Sequence, residues 1–219
     1  MKNQALALAA IAALSSPVLA DEVEVKIEFP KPMFIGTPVP AKLPNLEQPD
    51  PSKIIKSFMA PAGTVNVASG KPVTSSDPAP IIGELELITD DDADGSDGCF
   101  VELAPGPQWV QIDLEASTTL SKIAMWHYHK QAQAYVAVVV QLSDDTEFKT
   151  GVTTVFNSDI ENVHGFGEGK DPAYIETNHG RVIDAKGTKA RYIRLYSNGN
   201  TSNEMNHYCE VQAFGVPGK

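Results

Sequence analysis

Trp126-His127-Tyr128-His129 packs more potential chemistry into four positions than any other stretch of the chain. On an extended strand His127 and His129 would share one face, and Trp126 and Tyr128 the other. With His207, from Asn206-His207-Tyr208, the stretch offers three imidazoles, enough ligands for a zinc ion if they converge. Without convergence, histidines near strand ends serve as hydrogen-bonded packing or as ligand contacts. A sugar asks for something different: an aromatic face for the apolar side of its ring, and planar polar groups for its hydroxyls. Trp126, His127, Tyr128, His129, Asn157, Asp159, Asn198, Asn200 and His207 supply both kinds of group. Arg194 lies on the strand face opposite Ile193 and Leu195 and is a cation that could reach such a ligand. Trp126 fits a core position equally well, and Trp109 reads as packing. A second cluster is Thr89-Asp90-Asp91-Asp92-Ala93-Asp94, with four aspartates in five positions. These repel one another unless water or a cation screens them, and calcium favours such hard oxygen ligands. The plain alternative is a solvated acidic turn.

Signatures of catalysis are missing. The sequence contains no Gly-x-Ser-x-Gly elbow, no His-Glu-x-x-His and no phosphate-binding loop. Asp159 with Glu161, or Asp171 with Glu176, could be paired as acid and base, but carboxylates are abundant here and the pairing carries little information. The formal net charge of the 219 residues is −11. That argues against nucleic acid and anionic membrane surfaces as partners, since both call for a basic patch.

The ends differ from the middle. Lys2, the apolar run Ala5–Leu14, Ser15-Ser16-Pro17 and Val18-Leu19-Ala20 have the order of a secretory signal, removed after residue 20. Loss of Lys2 takes the charge from −11 to −12. No other run is long enough to span a membrane, so the expectation is a secreted or periplasmic protein. Residues 21–62 carry Pro30, Pro32, Pro38, Pro40, Pro44, Pro49, Pro51 and Pro61, a density that excludes helix interior and central strand. They read as an extended arm or linker, with an edge strand in the alternating Asp21–Phe29, an apolar cluster at Met33-Phe34-Ile35 and a short helix at Ser52–Met59.

Residues 63–219 read as one all-β domain. Gln108–Leu114 alternates strictly, with Val110, Ile112 and Leu114 on one side. Leu120–Trp126, Thr153–Phe156, Tyr174–Thr177, Ala190–Tyr196 and Tyr208–Phe214 are further strands, and Phe148 opens another element. Tyr135–Leu142 is apolar on both faces and suits an interior strand. Residues 157–180 form a long glycine-rich loop of the kind that often carries function. No helical periodicity and no internal repeat appear.

Several short stretches then occur in a particular order: Asn66–Ser76, Ile88-Thr89-Asp90, Trp109–Leu114, Ala190–Leu195 and Glu210–Gly215. Together they resemble the discoidin domain, also called the coagulation factor 5/8 C-terminal type, of the galactose-binding-like superfamily. The version with a long Phe156–Gly169 insert is similar to modules attached to exported bacterial carbohydrate-active proteins. The resemblance implies a jelly-roll β-sandwich that presents ligands on loops at one end. It also implies a structural calcium held by Asp90, Asp92 and Asp94 of the acidic loop and closed by Glu210. Asp91 stands where the family has glycine, and aspartate is one of the few other residues that tolerate positive φ. An exported chain permits a disulfide between its two cysteines, Cys99 and Cys209, and the resemblance brings their regions together. Such a bridge would be worth about 4–5 kcal/mol in the chain-entropy picture.

The expected function is an exported, non-catalytic binding module for a carbohydrate or glycan surface. The alternatives are an assembly module that docks another exported protein through the Pro-rich arm, and a metal-dependent enzyme using His127, His129 and His207.

Overall fold

The alternation along 108–114 behaves as its pattern requires: Val110, Ile112 and Leu114 are buried. The strand that carries them is much longer than expected and runs without a break to Trp126. The computed structural model describes residues 21–33 and 41–217; the expected leader at 1–20 and Phe34-Ile35 of the apolar cluster lie outside them. In chain order the strands are β1 (Glu22–Lys26), β2 (Ser57–Pro61), β3 (Val65–Asn66), β4 (Val73–Ser75), β5 (Val101–Leu103), β6 (Pro107–Trp126), β7 (Val139–Ser143), β8 (Thr153–Asn157), β9 (Arg181–Asn198), β10 (Asn206–Tyr208) and β11 (Glu210–Val216). Two short 3-10 turns, Pro51–Lys53 and Leu85–Thr89, are the only helical elements among the described residues, and none is long enough to cross a membrane.

β6 and β9 pair antiparallel along nearly their whole length, and each takes part in both layers of a sandwich. The first half of β6 pairs with β4 and with the second half of β9, which continues to β7 and β8. The second half of β6 pairs with the first half of β9 and with β11, which continues to β3. The change of layer occurs at a register shift on each strand. Glu115 (φ 65°) and Lys186 (φ 55°) take left-handed backbone there. Each is held by an aspartate two residues earlier, with the Glu115 amide donating to Asp113 (2.7 Å) and the Lys186 amide to Asp184 (2.9 Å). These are β-bulges stabilised by Asx turns. Arg191 adds a two-pronged bond to Asp113 at 2.7 and 2.8 Å, and it holds that carboxyl below its ordinary pKa.

Because the layers share two strands, their inner faces form one core. Val110, Ile112, Val140, Leu142, Ile193 and Leu195 of the first layer meet Leu120, Ile123, Met125, Ile183, Val211 and Ala213 of the second. Each fully buried aliphatic side chain contributes roughly 1.5–3 kcal/mol.

Several expectations need correction. Tyr174–Thr177 forms no strand; only the preceding Ala173 makes a bridge, to Leu46. Phe148 does not open a strand but lies in a turn with φ 54°. The last strand is interrupted at Cys209, which separates β10 from β11. Ser52–Met59 is no helix: Asp50, not Ser52, caps a single 3-10 turn, and β-favouring Ser57-Phe58-Met59 joins β1 in a two-stranded ribbon. Of the Pro-rich arm, the described parts lie against the sandwich. Ile27 and Phe58 pack on a second cluster with Trp126 and Phe214, and Asn45 donates to the Ser158 carbonyl at 2.9 Å.

If the shared core carries the stability, Ile193→Ala should cost about 2–5 kcal/mol in urea unfolding. Met59→Ala, on the solvent side of the β1–β2 ribbon, should change it by less than about 0.5 kcal/mol.

Candidate functional site

At one end of the sandwich β6 stops, β10 gives way to β11, and the segments 90–100 and 127–135 converge beside β5. Most of the side chains expected to do chemistry meet there, in three layers of differing burial.

The innermost layer is a set of hydrogen-bonded polar groups. His127 is fully buried, its Nδ1 lies 2.6 Å from Glu176 Oε1, and its ring stacks on Tyr135 at 4.2 Å. Gln133 donates from Nε2 to the Tyr135 hydroxyl (2.9 Å), and Tyr135 in turn donates to His207 Nδ1 (2.8 Å). That order leaves the proton of a neutral His207 on Nε2, which donates to Glu102 at 2.9 Å. Burial lowers the His207 pKa, and the Glu102 carboxylate acts against that shift. Asn206 beside it uses its whole amide: Oδ1 accepts from Ser197 and the Gly199 amide, and Nδ2 donates to the Ala104 and Gly106 carbonyls.

The three histidines do not form the metal triad that their number suggested. His127 turns to Glu176, His207 to Tyr135 and Glu102, and His129 Nε2 donates to the Ala93 carbonyl at 2.9 Å. Trp126 is wholly interior, its Nε1 donating to the Asn178 carbonyl at 3.0 Å. A Cβ on Gly180 (φ 60°) would stand 2.7 Å from the indole ring, so the loop closes tightly over it. Trp126 is therefore a core side chain and presents no face for stacking.

The middle layer is an aromatic rim. Tyr128 is half-exposed and packs on Phe100 at 4.8 Å and on His207 at 5.6 Å. Lys130 reaches Asp97 at 3.0 Å along its edge. An aromatic face beside a histidine–carboxylate pair is the combination that a hydroxyl-rich ring requires.

The third layer is the acidic loop. Its aspartates fold into successive Asx turns, the Asp92 amide donating to Asp90, the Asp94 amide to Asp92 and the Ser96 amide to Asp94, all near 3.0 Å. Asp91 takes φ 68°, the backbone expected where it replaces glycine, and is held by Asn66 and Ser69. Glu210 opens β11 opposite Trp126 and is fully buried, yet neither of its carboxylate oxygens has a hydrogen-bond partner. Burial first, then the charges of Asp91 and Asp90, push its carboxyl up to about 9. An orphaned buried carboxylate is costly, and it suits a hard cation, so the donor chemistry fits calcium. Among the described residues no three His, Cys, Asp or Glu side chains are already gathered as a metal cage. Such an ion would also need backbone carbonyls and water, both ordinary calcium ligands.

The other candidates do not join this end as ligand contacts. Asn157 and the buried Asp159 stitch the long loop together, with Asn157 accepting the Asp159 amide and Asp159 accepting those of Val163 and His164. Asn198 ends β9, its amide donating to the Val136 carbonyl. Asn200 spends its side chain on a turn with Ser202, Asn203 and Met205. Arg194 sits between the rings of Trp109 (4.4 Å) and Phe148 (4.2 Å) and donates to Gln111 and the Thr146 carbonyl, which makes it a structural staple. Cys99 and Cys209 are free thiols, so the expected bridge is not formed; Ser96 Oγ meets Cys99, and burial raises the Cys209 pKa.

Glu102, Gln133 and Tyr135 are absent from the sequence-based candidates, and Glu176 enters only as an acid–base partner of Asp171. Glu102, a lone charge between the core residues Val101 and Leu103 of β5, left a hint in the sequence.

The fold and this end of it define a jelly-roll sandwich of the discoidin kind. Residues 74–211 match the F5/8 type C domain, and the chain belongs to that family. Among solved structures the fold is shared with a truncated AlyQ containing CBM32 and alginate lyase domains (21% identity, 71% of this chain and 34% of that one, TM-score 0.51). It is also shared with CpGH89 from Clostridium perfringens in complex with its substrate GlcNAc-alpha-1,4-galactose (18%, 69% and 15%, TM-score 0.51). The CBM32 of AlyQ in complex with 4,5-unsaturated mannuronic acid is 22% identical over 65% of this chain and 93% of that one (TM-score 0.49). No curated protein sequence matches the chain.

A buried histidine kept neutral makes a signed prediction. Its folded pKa lies below the unfolded value near 6.5, so its contribution is complete above that value and shrinks as pH falls through 6.5 toward the folded pKa. Melting temperatures between pH 8 and 5 should fall less steeply for His207→Gln than for the parent.

Proposed function

We propose that this chain is an exported, non-catalytic carbohydrate-binding module stabilised by calcium. The observation that carries the reading is the half-exposed Tyr128 ring beside Phe100 and the Glu102–His207 pair. One sugar face would lie on Tyr128 while hydroxyls bond to Glu102, which His207 holds in place from behind. Membership of the F5/8 type C family and a fold shared with CBM32-containing proteins support the same reading. The sugar site thus retains Tyr128 and His207 from the original candidates, adds Phe100 and Glu102, and leaves Trp126 to the core. The assembly alternative, with a partner docked on the arm, is weakened because the described arm residues are already engaged with their own sandwich.

Calcium, when bound, would supply a positive charge beside the Glu210 carboxylate. Asp90, Asp92 and Asp94 would contribute from the loop and Glu210 from the strand.

Two measurements test the proposal. A glycan array of the full chain should show a restricted set of binders, with binding weakened at least tenfold by Tyr128→Ala and Glu102→Gln; an array without binders rejects the carbohydrate reading. Calcium added to chelator-treated protein at a hundredfold excess over Kd should stabilise it by about 2.7 kcal/mol, or roughly 5–10 °C at this chain length. The shift should vanish in Glu210→Gln.

A further inference from the structure

Glu102 is the centre of a row of side chains that crosses three segments of backbone. It pairs on one side with His207 of β10 and on the other, through an isolated antiparallel bridge, with Ile82. The Glu102 amide donates to the Ile82 carbonyl at 2.8 Å, and the Ile82 amide to the Glu102 carbonyl at 3.5 Å. Residues directly opposite in antiparallel pairing project to the same face, so Ile82, Glu102 and His207 stand side by side. Phe100 joins that face through its contact with the His207 ring at 5.7 Å, and Tyr128 packs on both rings. The other face of β5 carries Val101 and Leu103, both in the core.

The members of the row differ in what they leave open. His207 is spent, with Nε2 bonded to Glu102 and Nδ1 to Tyr135. Glu102 is not: Oε2 accepts from His207, while Oε1 has no partner among the described residues and is not enclosed. The Glu102 side chain is 17% exposed. Ile82 is 41% exposed and belongs to neither hydrophobic cluster. Lys130, the cation of the rim, is held by Asp97. Across the row a ligand therefore meets an aromatic face, then a carboxylate oxygen that can only accept, then an aliphatic wall.

We infer that Glu102 and Ile82 form a subsite for an acetamido group, so that the sugar taken at the rim is a 2-acetamido hexose. Its amide N–H donates to Glu102 Oε1, its acetyl methyl lies on Ile82, and its ring rests on Tyr128. The inference rests on the carbohydrate reading of the rim and names the class of sugar. A hydroxyl in place of the acetamido group can donate to Glu102 but leaves Ile82 without an apolar partner. A free amine gains from the charge of Glu102 but sets an ammonium group against an isoleucine, where it loses water. The acetamido group carries a donor and a methyl on one short planar unit, which is the order in which Glu102 and Ile82 ask for them.

The test is an NMR titration of the full chain with two matched sets of methyl glycosides. One set is N-acetylgalactosamine, galactose and galactosamine; the other is the corresponding glucose series. In at least one set the acetamido sugar should bind at least fivefold tighter than both of its counterparts. An intermolecular NOE should connect its acetyl methyl to a methyl of Ile82. Ile82→Ala, at an exposed position, should keep the fold and reduce the preference below twofold. Should that variant lose all binding, the NOE in the parent decides, and its absence overturns the inference. A glycan array of the same chain separates two kinds of failure. Array binders without an acetamido preference, a preference that survives Ile82→Ala, or tighter binding of the free amine overturns this inference and leaves the carbohydrate reading standing. No sugar bound in either measurement overturns both.

Discussion

The pairing of β6 with β9 is the constraint on which the rest depends. Two strands of 20 and 18 residues run antiparallel and pass together from one layer of the sandwich to the other. A flat ladder of that length would leave both its faces half-solvated. The bulges at Glu115 and Lys186 bend it so that one face closes on itself as a core. Each bulge needs left-handed backbone at a residue with a side chain, and each is stabilised by the same local device, an aspartate accepting the amide two residues on. Moving either bulge by one residue would turn the alternation of Val110-Ile112-Leu114 against that of Leu120 and Ile123.

The site follows from where these strands end. β6 terminates at Trp126, and the chain leaves the ladder with its polar residues still inside the protein. Buried imidazoles need partners, and three elements supply them: Glu102 from β5, Tyr135, itself held by Gln133, from the β6–β7 loop, and Glu176 from the long loop. This network fixes the tautomer of His207 and places Tyr128 at the surface beside it. Where the network stops, unpaired groups remain. At Glu210, beside the acidic loop, neither carboxylate oxygen has a hydrogen-bond partner.

The arm shows how local composition can mislead. Its prolines do exclude helix interior and central strand, and the described residues hold only a single 3-10 turn and a two-stranded ribbon. Proline does not exclude docking. Asn45, Glu47, Ile27 and Phe58 all find partners on the sandwich, and none of these contacts has a signature within 21–62 itself.

Alternation and turn residues were enough to determine from sequence alone that the domain is all-β, where its main core strands lie, and, through ordered short motifs, which family it resembles. These signals are local, because side-chain direction on a strand depends only on residue parity. The backbone of Asp91 was also legible, since few residues other than glycine accept positive φ. The tertiary structure decided everything that depends on which distant residues face each other. It put Trp126 in the core rather than at the rim, divided three neighbouring histidines among separate partners, brought Glu176 to His127 across 49 positions, and left the two cysteines as free thiols. Burial and hydrogen-bond partnership are properties of pairs brought together by the whole chain, and no window of sequence contains both members.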